Sequence, residues 1–432
     1  MGQHGPGAAR EHGREPPAAH ADCPVADGVD AAMDCKKAAG AESMIDRVVA
    51  DSEREQLLAR DDSSLPRSEL GDCSMRGDLT AHIAVKSTRI RSSPPVGFAG
   101  MSPPVLVAPD SFKGTLRATE VAASIGRGLE RAGLEPPDLC PVADGGEGTL
   151  EVLVTALGGT TAAADATDPL GRPIRAGFAL IEDGGTAIVE VAEASGLHRV
   201  GDDERDAEAA TSRGTGELIV AAAEAGAEVI LVAAGGSATT DGGHGAIEAI
   251  DDAGGLPHSS LVVLCDVRTP FELAAERFGP QKGADAAAVT RLTQRLVTMA
   301  EQWSKDPRGV PMTGAAGGLS GGLWARYGAR LEPGAAFVLD AFGFDQRLRA
   351  ARAVVVGEGR LDATTLEGKI AGEIAVRARQ AGVPSHAIVG QNGIDRFSAR
   401  ILDLQVILEA GTRAELEAAG EELGRMLAER RA

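Results

Sequence analysis

Several short stretches of this chain crowd glycine, a hydroxyl, a carboxylate and sometimes a basic residue into a few positions. They include Asp110-Ser111-Phe112-Lys113-Gly114-Thr115, Asp144-Gly145-Gly146-Glu147-Gly148-Thr149 and Gly235-Gly236-Ser237-Ala238-Thr239-Thr240-Asp241. Cys265-Asp266, Lys282-Gly283, the glycine cluster Gly314 to Gly322 and Gly357-Glu358-Gly359-Arg360-Leu361-Asp362 extend the set. Phosphoryl transfer needs these parts, because its transition state is stabilised by positioning and charge rather than by covalent chemistry. Amides and lysine suit phosphates, carboxylates suit Mg²⁺, and one carboxylate can orient an acceptor hydroxyl.

The elements that hold these loops read as βα units. Val229 to Ala234 is a β-branched apolar run that ends on Gly235-Gly236, and a helical pattern resumes at Ala246. Strand, glycine-rich loop and helix in that order make an anion site, since loop amides and the helix N-terminus converge. Val105 to Ala108 is a strand followed by a helix through Leu129, and a strand near Leu139 to Ala143 leads to a helix ended by Gly158-Gly159. Thr186 to Ala192 alternates as a strand, Gly216 to Ala225 is a helix, and Leu261 to Leu264 is a buried strand running into Asp266. Ala353 to Val356 and His386 to Val389 bring strands back near the end, and an amphipathic helix closes the chain. Two clear βα stretches around a less regular middle imply a doubly wound domain interrupted by an insertion. In such sheets ligands bind beyond the carboxyl ends of the strands.

Residues 1 to 100 alternate polar, charged, proline and alanine residues without sustained period, apart from a short helical pattern at Ile45 to Leu58. They are expected to be a disordered leader, or the product of a start assigned too far upstream, with Met101 as the natural first residue. The net charge of -20 over 432 residues argues against a nucleic-acid or anionic-membrane partner. Five cysteines without paired spacing and no apolar run of ~20 residues place the protein in the cytoplasm. The eight histidines show no metal-ligand spacing. The standard nucleotide fingerprints are incomplete: Gly357-Glu358-Gly359 has Asp362 where a third glycine belongs, and Gly368-Lys369 lacks the flanking residues of a Walker loop.

Taken together, the loops resemble the type-1 glycerate kinase family. The matching segments are VAPDSFKGTL (107 to 116), PVADGGEGT (141 to 149), ASGL (194 to 197), TSRGTGELI (211 to 219) and GGSATTDGG (235 to 243). CDV (265 to 267), FGPQKGA (278 to 284), GAAGGL (314 to 319) and VGEGRLD (356 to 362) follow in family order. The resemblance implies a kinase that uses ATP and Mg²⁺ to phosphorylate D-glycerate, with 2-phosphoglycerate as the favoured product. It also implies two α/β domains. One is Rossmann-like and discontinuous, over 101–160 and 336–432, and the second, over 161–335, is inserted into it, with the active site between them. Three departures stand out: the first hundred residues, a short connector from Asp251 to Ser260 with Thr240 in place of the usual asparagine, and Arg117 where a capping serine is common. Thr115 is then the expected helix cap.

Roles follow for each loop. Asp241, Lys113 and Asp266 are the expected catalytic residues. Gly235, Gly236, Ser237, Thr239, Lys282, Gly317 and Gly318 are expected on nucleotide or phosphate. Asp110, Ser111 and Arg360 are assigned to substrate, and Asp144, Glu147 and Asp362 to the metal. Each has a structural alternative: Asp241 and Asp110 as caps or turn formers, Asp144 and Glu147 as braces of their own loop. Lys113 and Lys282 could be surface lysines, and Arg360 could pair with a loop carboxylate. For the whole chain the alternatives are a silent metabolite-sensing protein on the same scaffold, or a kinase for a related small hydroxy acid.

Overall fold

The computed structural model describes residues 102–362, 365 and 369–429. The expectations for residues 1 to 100, and for translation starting at Met101, lie outside these residues.

The chain opens with β1 (Val105–Pro109), α1 (Ala118–Arg131), β2 (Asp138–Leu139) and α2 (Thr149–Leu157). There follow β3 (Thr160–Thr167), β4 (Pro173–Ile181), β5 (Thr186–Glu190), α3 (Val191–Ser195), α4 (Arg213–Glu224), β6 (Val229–Ala233) and α5 (His244–Asp252). Then come β7 (Ser260–Cys265), α6 (Ala274–Phe278), α7 (Ala286–Gln302), α8 (Leu319–Tyr327), β8 (Arg330–Pro333), α9 (Gly334–Ala341) and α10 (Phe344–Ala350). The last part holds β9 (Ala353–Gly357), β10 (Arg360–Leu361), α11 (Ile370–Ala381), β11 (Ser385–Val389), β12 (Gln391–Asn392), α12 (Arg396–Ile401), β13 (Leu404–Glu409) and α13 (Arg413–Glu429).

Two larger sheets organise these elements. The first has the order β13-β11-β9-β1-β2 and is parallel throughout, so its strands come from both ends of the described chain. Its central strands β11, β9 and β1 are buried on both faces, as a sheet covered by helices on each side requires. Val105, Val107, Ala353 and Val355 pack with Ile125, Leu129 and Leu423 on one face. Leu106, Ala108, Val354 and Val356 pack with Phe344, Leu339 and Ile374 on the other. The second sheet, β3-β4-β5-β6-β7-β8, is antiparallel from β3 to β5 and parallel from β5 to β8. Ala187, Val189, Ile230, Val232 and Val263 pack there against Leu218, Ile219 and Ala222 of α4. The fold is α/β, as the sequence pattern implies.

Details differ from the sequence reading. The strand near Leu139 is two residues long, although Cys140 and Val142 still donate to the carbonyls of Val107 and Pro109. The strand from Thr186 stops at Glu190, where Val191–Ser195 turns into a short helix. Thr115 is not the cap of α1: its hydroxyl bonds to the Phe112 carbonyl at 2.8 Å, while Arg117 is the N-cap and Glu120 reaches back to its backbone N–H at 3.1 Å. Helix α2, which follows a strand of the first sheet, packs against β4 and β5 of the second. Residues 140–148 therefore form a crossover between the sheets. Cys140 and Cys265 are free and buried. Among the described residues no helix is long and apolar enough to cross a membrane.

Candidate active site

Strand β1 ends at Pro109, and the chain then folds back on itself. Phe112 and Leu116 exchange backbone hydrogen bonds of 2.8 and 3.1 Å, and Gly114 takes the left-handed conformation at φ 78 that such a tight loop needs. Phe112 is buried beneath this loop and Lys113 stands at its tip with a half-exposed side chain. The Lys113 Nζ lies 3.6 Å from Asp144 Oδ2, so the crossover and the β1 loop meet at this amine. Three cavities, of about 380, 440 and 260 Å³, all have Lys113 in their walls. The first is largely acidic, with Glu147, Glu151, Glu190 and Glu193 beside Arg117. Asp144, Glu358, Arg360 and Lys369 line the second, and Gly235 to Ser237, Asp266, Lys282 and Gly317 the third.

Three buried carboxylates of this cleft, Asp110, Asp266 and Glu358, hold their protons tightly. Burial, and then the Asp144 charge, push Asp110 well above the usual carboxylate range. Burial and Asp144 likewise raise Asp266 to about 7. Glu358 is raised to about 7 by burial, against a 2.8 Å hydrogen bond from the Thr365 hydroxyl and the pull of Lys369, 4.0 Å away. Lys113 moves the other way: Asp144 most of all, then Asp110 and Asp266, hold its amine protonated above the ordinary lysine range. One permanent cation sits among several carboxylates that repel each other. Such a place favours further positive charge.

The second sheet contributes backbone as well as the charged Asp266 and Lys282. After β6 the loop passes so close to the crossover that a Cβ on Gly235 would lie 2.5 Å from the Gly146 Cα. Lys282 is 3% exposed and donates to Ser237 Oγ at 2.8 Å and to the Thr239 carbonyl at 2.5 Å. Burial pushes its amine down to about 7, with Asp241 and Asp266 pulling upward. The 314–318 segment lies on the same loop: a Cβ at Gly317 would come 1.9 Å from the Thr239 carbonyl oxygen, and Ala316 is held at φ 51. Amides of Gly235 to Ser237, Lys282 and Gly317 thus wall a small polar chamber, a form suited to an anion.

Comparison with known proteins fits this geometry. A family model described as the glycerate kinase family matches residues 105–256 and 252–429, two spans that meet in the connector before β7. The chain belongs to the glycerate kinase family. It is 39% identical over 338 residues to the glycerate kinase of Bacillus subtilis (strain 168), covering 67% of this chain and 88% of that one. It is 36% identical over 352 residues to the glycerate 2-kinase of Escherichia coli (strain K12), covering 71% and 92%. A crystal structure of a protein provisionally named glycerate kinase 2, from Salmonella typhimurium LT2, aligns with a TM-score of 0.64 at 31% identity over 76% of this chain and 98% of that one.

In this member of the glycerate kinase family, the residues singled out from sequence fall into three groups. Asp110, Ser111, Lys113, Asp144, Asp266 and Arg360 line the cavities that meet at Lys113, as do Gly235, Gly236, Ser237, Lys282 and Gly317. Thr239 and Gly318 stand behind the chamber wall, Thr239 presenting its carbonyl to Lys282. Asp241 belongs to neither group. Its Oδ2 accepts from Ser212 N at 2.9 Å, Ser212 Oγ at 2.8 Å and Gly245 N at 3.2 Å, and its Oδ1 from Gly243 N at 3.1 Å. A carboxylate so occupied braces the starts of α4 and α5, and it lines none of the three cavities. The metal set also separates: Asp144 stands beside Lys113, Glu147 is exposed in the acidic cavity, and Asp362 lies 3.9 Å from Arg360. Among the described residues no three such side chains gather into a metal-binding group.

Glu190 and Lys369 are charged groups of this cleft to which no role was given. Lys369 sits beside a glycine-rich motif and was open to notice. Glu190 carries only one signal, an acidic residue ending the otherwise apolar run Thr186 to Val189.

Proposed function

We propose that this chain transfers the γ-phosphoryl group of ATP to the 2-hydroxyl of D-glycerate, in the cleft where the three cavities meet at Lys113. The observation that carries the reading is that convergence, with loops of both sheets around one amine. Lys113, Arg360 and Lys369 supply local positive charge that the chain, at -20 overall, otherwise lacks for anionic substrates. The amides of Gly235 to Ser237 and the Lys282 ammonium cradle one anionic group. The glycerate hydroxyl oxygen attacks the γ-phosphorus, the bond to the β–γ bridging oxygen breaks, and ADP leaves. Asp266 orients that hydroxyl and takes its proton. Lys113 neutralises charge on the transferring group, a role for which its protonation is secured by Asp144 and Asp110.

The residues fit Mg²⁺, because the buried and mutually repelling oxygens of Asp110, Asp144 and Asp266 are hard donors for which Lys113 is an incomplete counterion. Mg²⁺ usually takes one or two carboxylates together with phosphates, so no three-residue cluster is needed. Asp144 would hold it, and it would supply charge neutralisation for the transferring phosphoryl group. Asp110 and Ser111 are assigned to substrate. We further infer that the two sheets are the cores of two domains, 161–335 inserted between 101–160 and 336–432, with the crossover helix shared at their boundary.

The test is ADP release coupled to D-glycerate, with NMR of the product. The expected result is Mg²⁺-dependent turnover yielding 2-phosphoglycerate. Turnover only with another hydroxy acid would replace the substrate, and none with any would leave a binding protein.

A further inference from the structure

The carboxylate at the end of β5 takes no part in the transfer described above, yet it holds the loop that supplies Asp144. We propose that Glu190 is a positioning residue for the reaction: from the second sheet it clamps the crossover and so sets where Asp144 and Lys113 stand. This rests on the kinase reading of the cleft.

Helix α2 starts without a cap of its own. Its N-cap is Gly148 at φ 93, which has no side chain to offer, and the first amides of a helix need acceptors from elsewhere. Glu190 supplies one from 40 residues away: its Oε1 accepts from Leu150 N at 2.7 Å. Glu190 itself is 5% exposed and is fixed in β5 opposite Ala233 of β6, two residues before Gly235. A single side chain therefore ties the residues after Asp144 to the strand ends that carry the anion chamber. The tolerance is small, because Gly146 and Gly235 already touch backbone to backbone.

A cap that served stability alone would have no reason to lie in the catalytic cleft, but Glu190 lines the same cavity as Lys113 and Glu147. Its place there is also electrostatically unfavourable. Burial raises its carboxyl to about 7, with Glu193 and Glu147 adding to the rise and the Leu150 and Gly148 amides opposing it. A side-chain cap at 148, strained at φ 93, would satisfy only the amides of α2 itself. What such a local cap could not do is join the crossover to β5.

The experiment compares Glu190→Ala and Glu190→Gln with the wild type. In Glu190→Ala, kcat should fall about 10- to 100-fold, the size expected of a 1 Å misplacement, with KM for ATP and D-glycerate moved less than about threefold. Glu190→Gln keeps an acceptor oxygen for Leu150 N and should restore kcat to within about fivefold of wild type. A kcat per folded molecule within twofold of wild type in Glu190→Ala overturns the proposal, as does an equal loss in both variants, which would make the charge itself the active feature. Should Glu190→Ala fail to fold, amide exchange decides: the Leu150 amide must be protected in wild type and in Glu190→Gln, and exchange at the free rate overturns the clamp. That exchange measurement needs no turnover, whereas absence of glycerate phosphorylation by the wild type would sink the kinase reading instead.

Discussion

The loop after β1 and the short turn after α6 each present a lysine to the same cleft, and they use it in opposite ways. Lys113 is half-exposed at a loop tip, has Asp144 as its ion-pair partner and is held protonated by the carboxylates around it. Lys282 is 3% exposed, gives hydrogen bonds to Ser237 and Thr239, and is pushed down to about 7 by burial. Around Lys113 charges outnumber hydrogen bonds. Around Lys282 the reverse holds. The contrast separates a group free to follow a moving phosphoryl group from one that shapes the wall on which an anion rests.

Removing each amine breaks the comparison most directly. Lys113→Ala should lower kcat about 10³-fold, in line with the loss of a preorganised electrostatic contact, while the thermal midpoint moves less, because solvent partly replaces the half-exposed amine. Lys282→Met should do the reverse in proportion: roughly 1–3 kcal/mol of stability lost in urea unfolding, as Ser237 and Thr239 lose their donor, and a rise of about tenfold in the KM of one substrate. Equal effects of the two variants on kcat, with no difference in stability, would erase the distinction.

The same division is expected of two aspartates. Asp266 lines the chamber, and Asp266→Asn should cost roughly 10²-fold in kcat with the fold intact. Asp241 has its oxygens filled by Ser212, Gly243 and Gly245, so Asp241→Asn should lower stability by about 1–3 kcal/mol and leave kcat of the folded fraction within about threefold. Steady-state kinetics paired with urea titrations on both variants checks this. A large kcat loss confined to Asp241→Asn would return the catalytic role to it.

How far these roles were legible in sequence depends on whether their causes are local. Strands β1, β6, β7 and β9 were visible because β-branched runs end abruptly on glycine or aspartate, and the loops beyond them declared their chemistry by composition. Strands β3 and β4 were not, since TTAAADAT is neither apolar nor alternating and lies largely on an exposed edge. Asp241 looked catalytic because its neighbours are glycines and hydroxyls. Its occupation comes from Ser212, 29 residues away, which no local pattern reveals. Glu190 was hidden for the same reason, since the helix it caps lies 40 residues earlier. Lys282 announced itself as a lysine in a glycine-rich motif, but only its burial shows that it supports the chamber wall from within.

The pH dependence of stability offers the smallest effect and the sharpest test of the two environments. Asp266, raised to about 7 from the ordinary aspartate value of 3.8, binds more proton folded than unfolded between those limits. Stability contributed by this site therefore falls as pH rises through that window. Lys282, lowered to about 7 from 10.5, binds less proton folded than unfolded above 7, so its contribution rises with pH between about 7 and 10.5. In metal-free protein, wild type should lose stability relative to Asp266→Asn from pH 4 to 7 and gain it relative to Lys282→Met from pH 7 to 10, by at most about 1 kcal/mol per pH unit. Urea midpoints at pH 5, 7 and 9 measure both differences. Flat differences across the two windows would mean that the cleft leaves these groups as water does, and that the contrast between the two lysines is one of position alone.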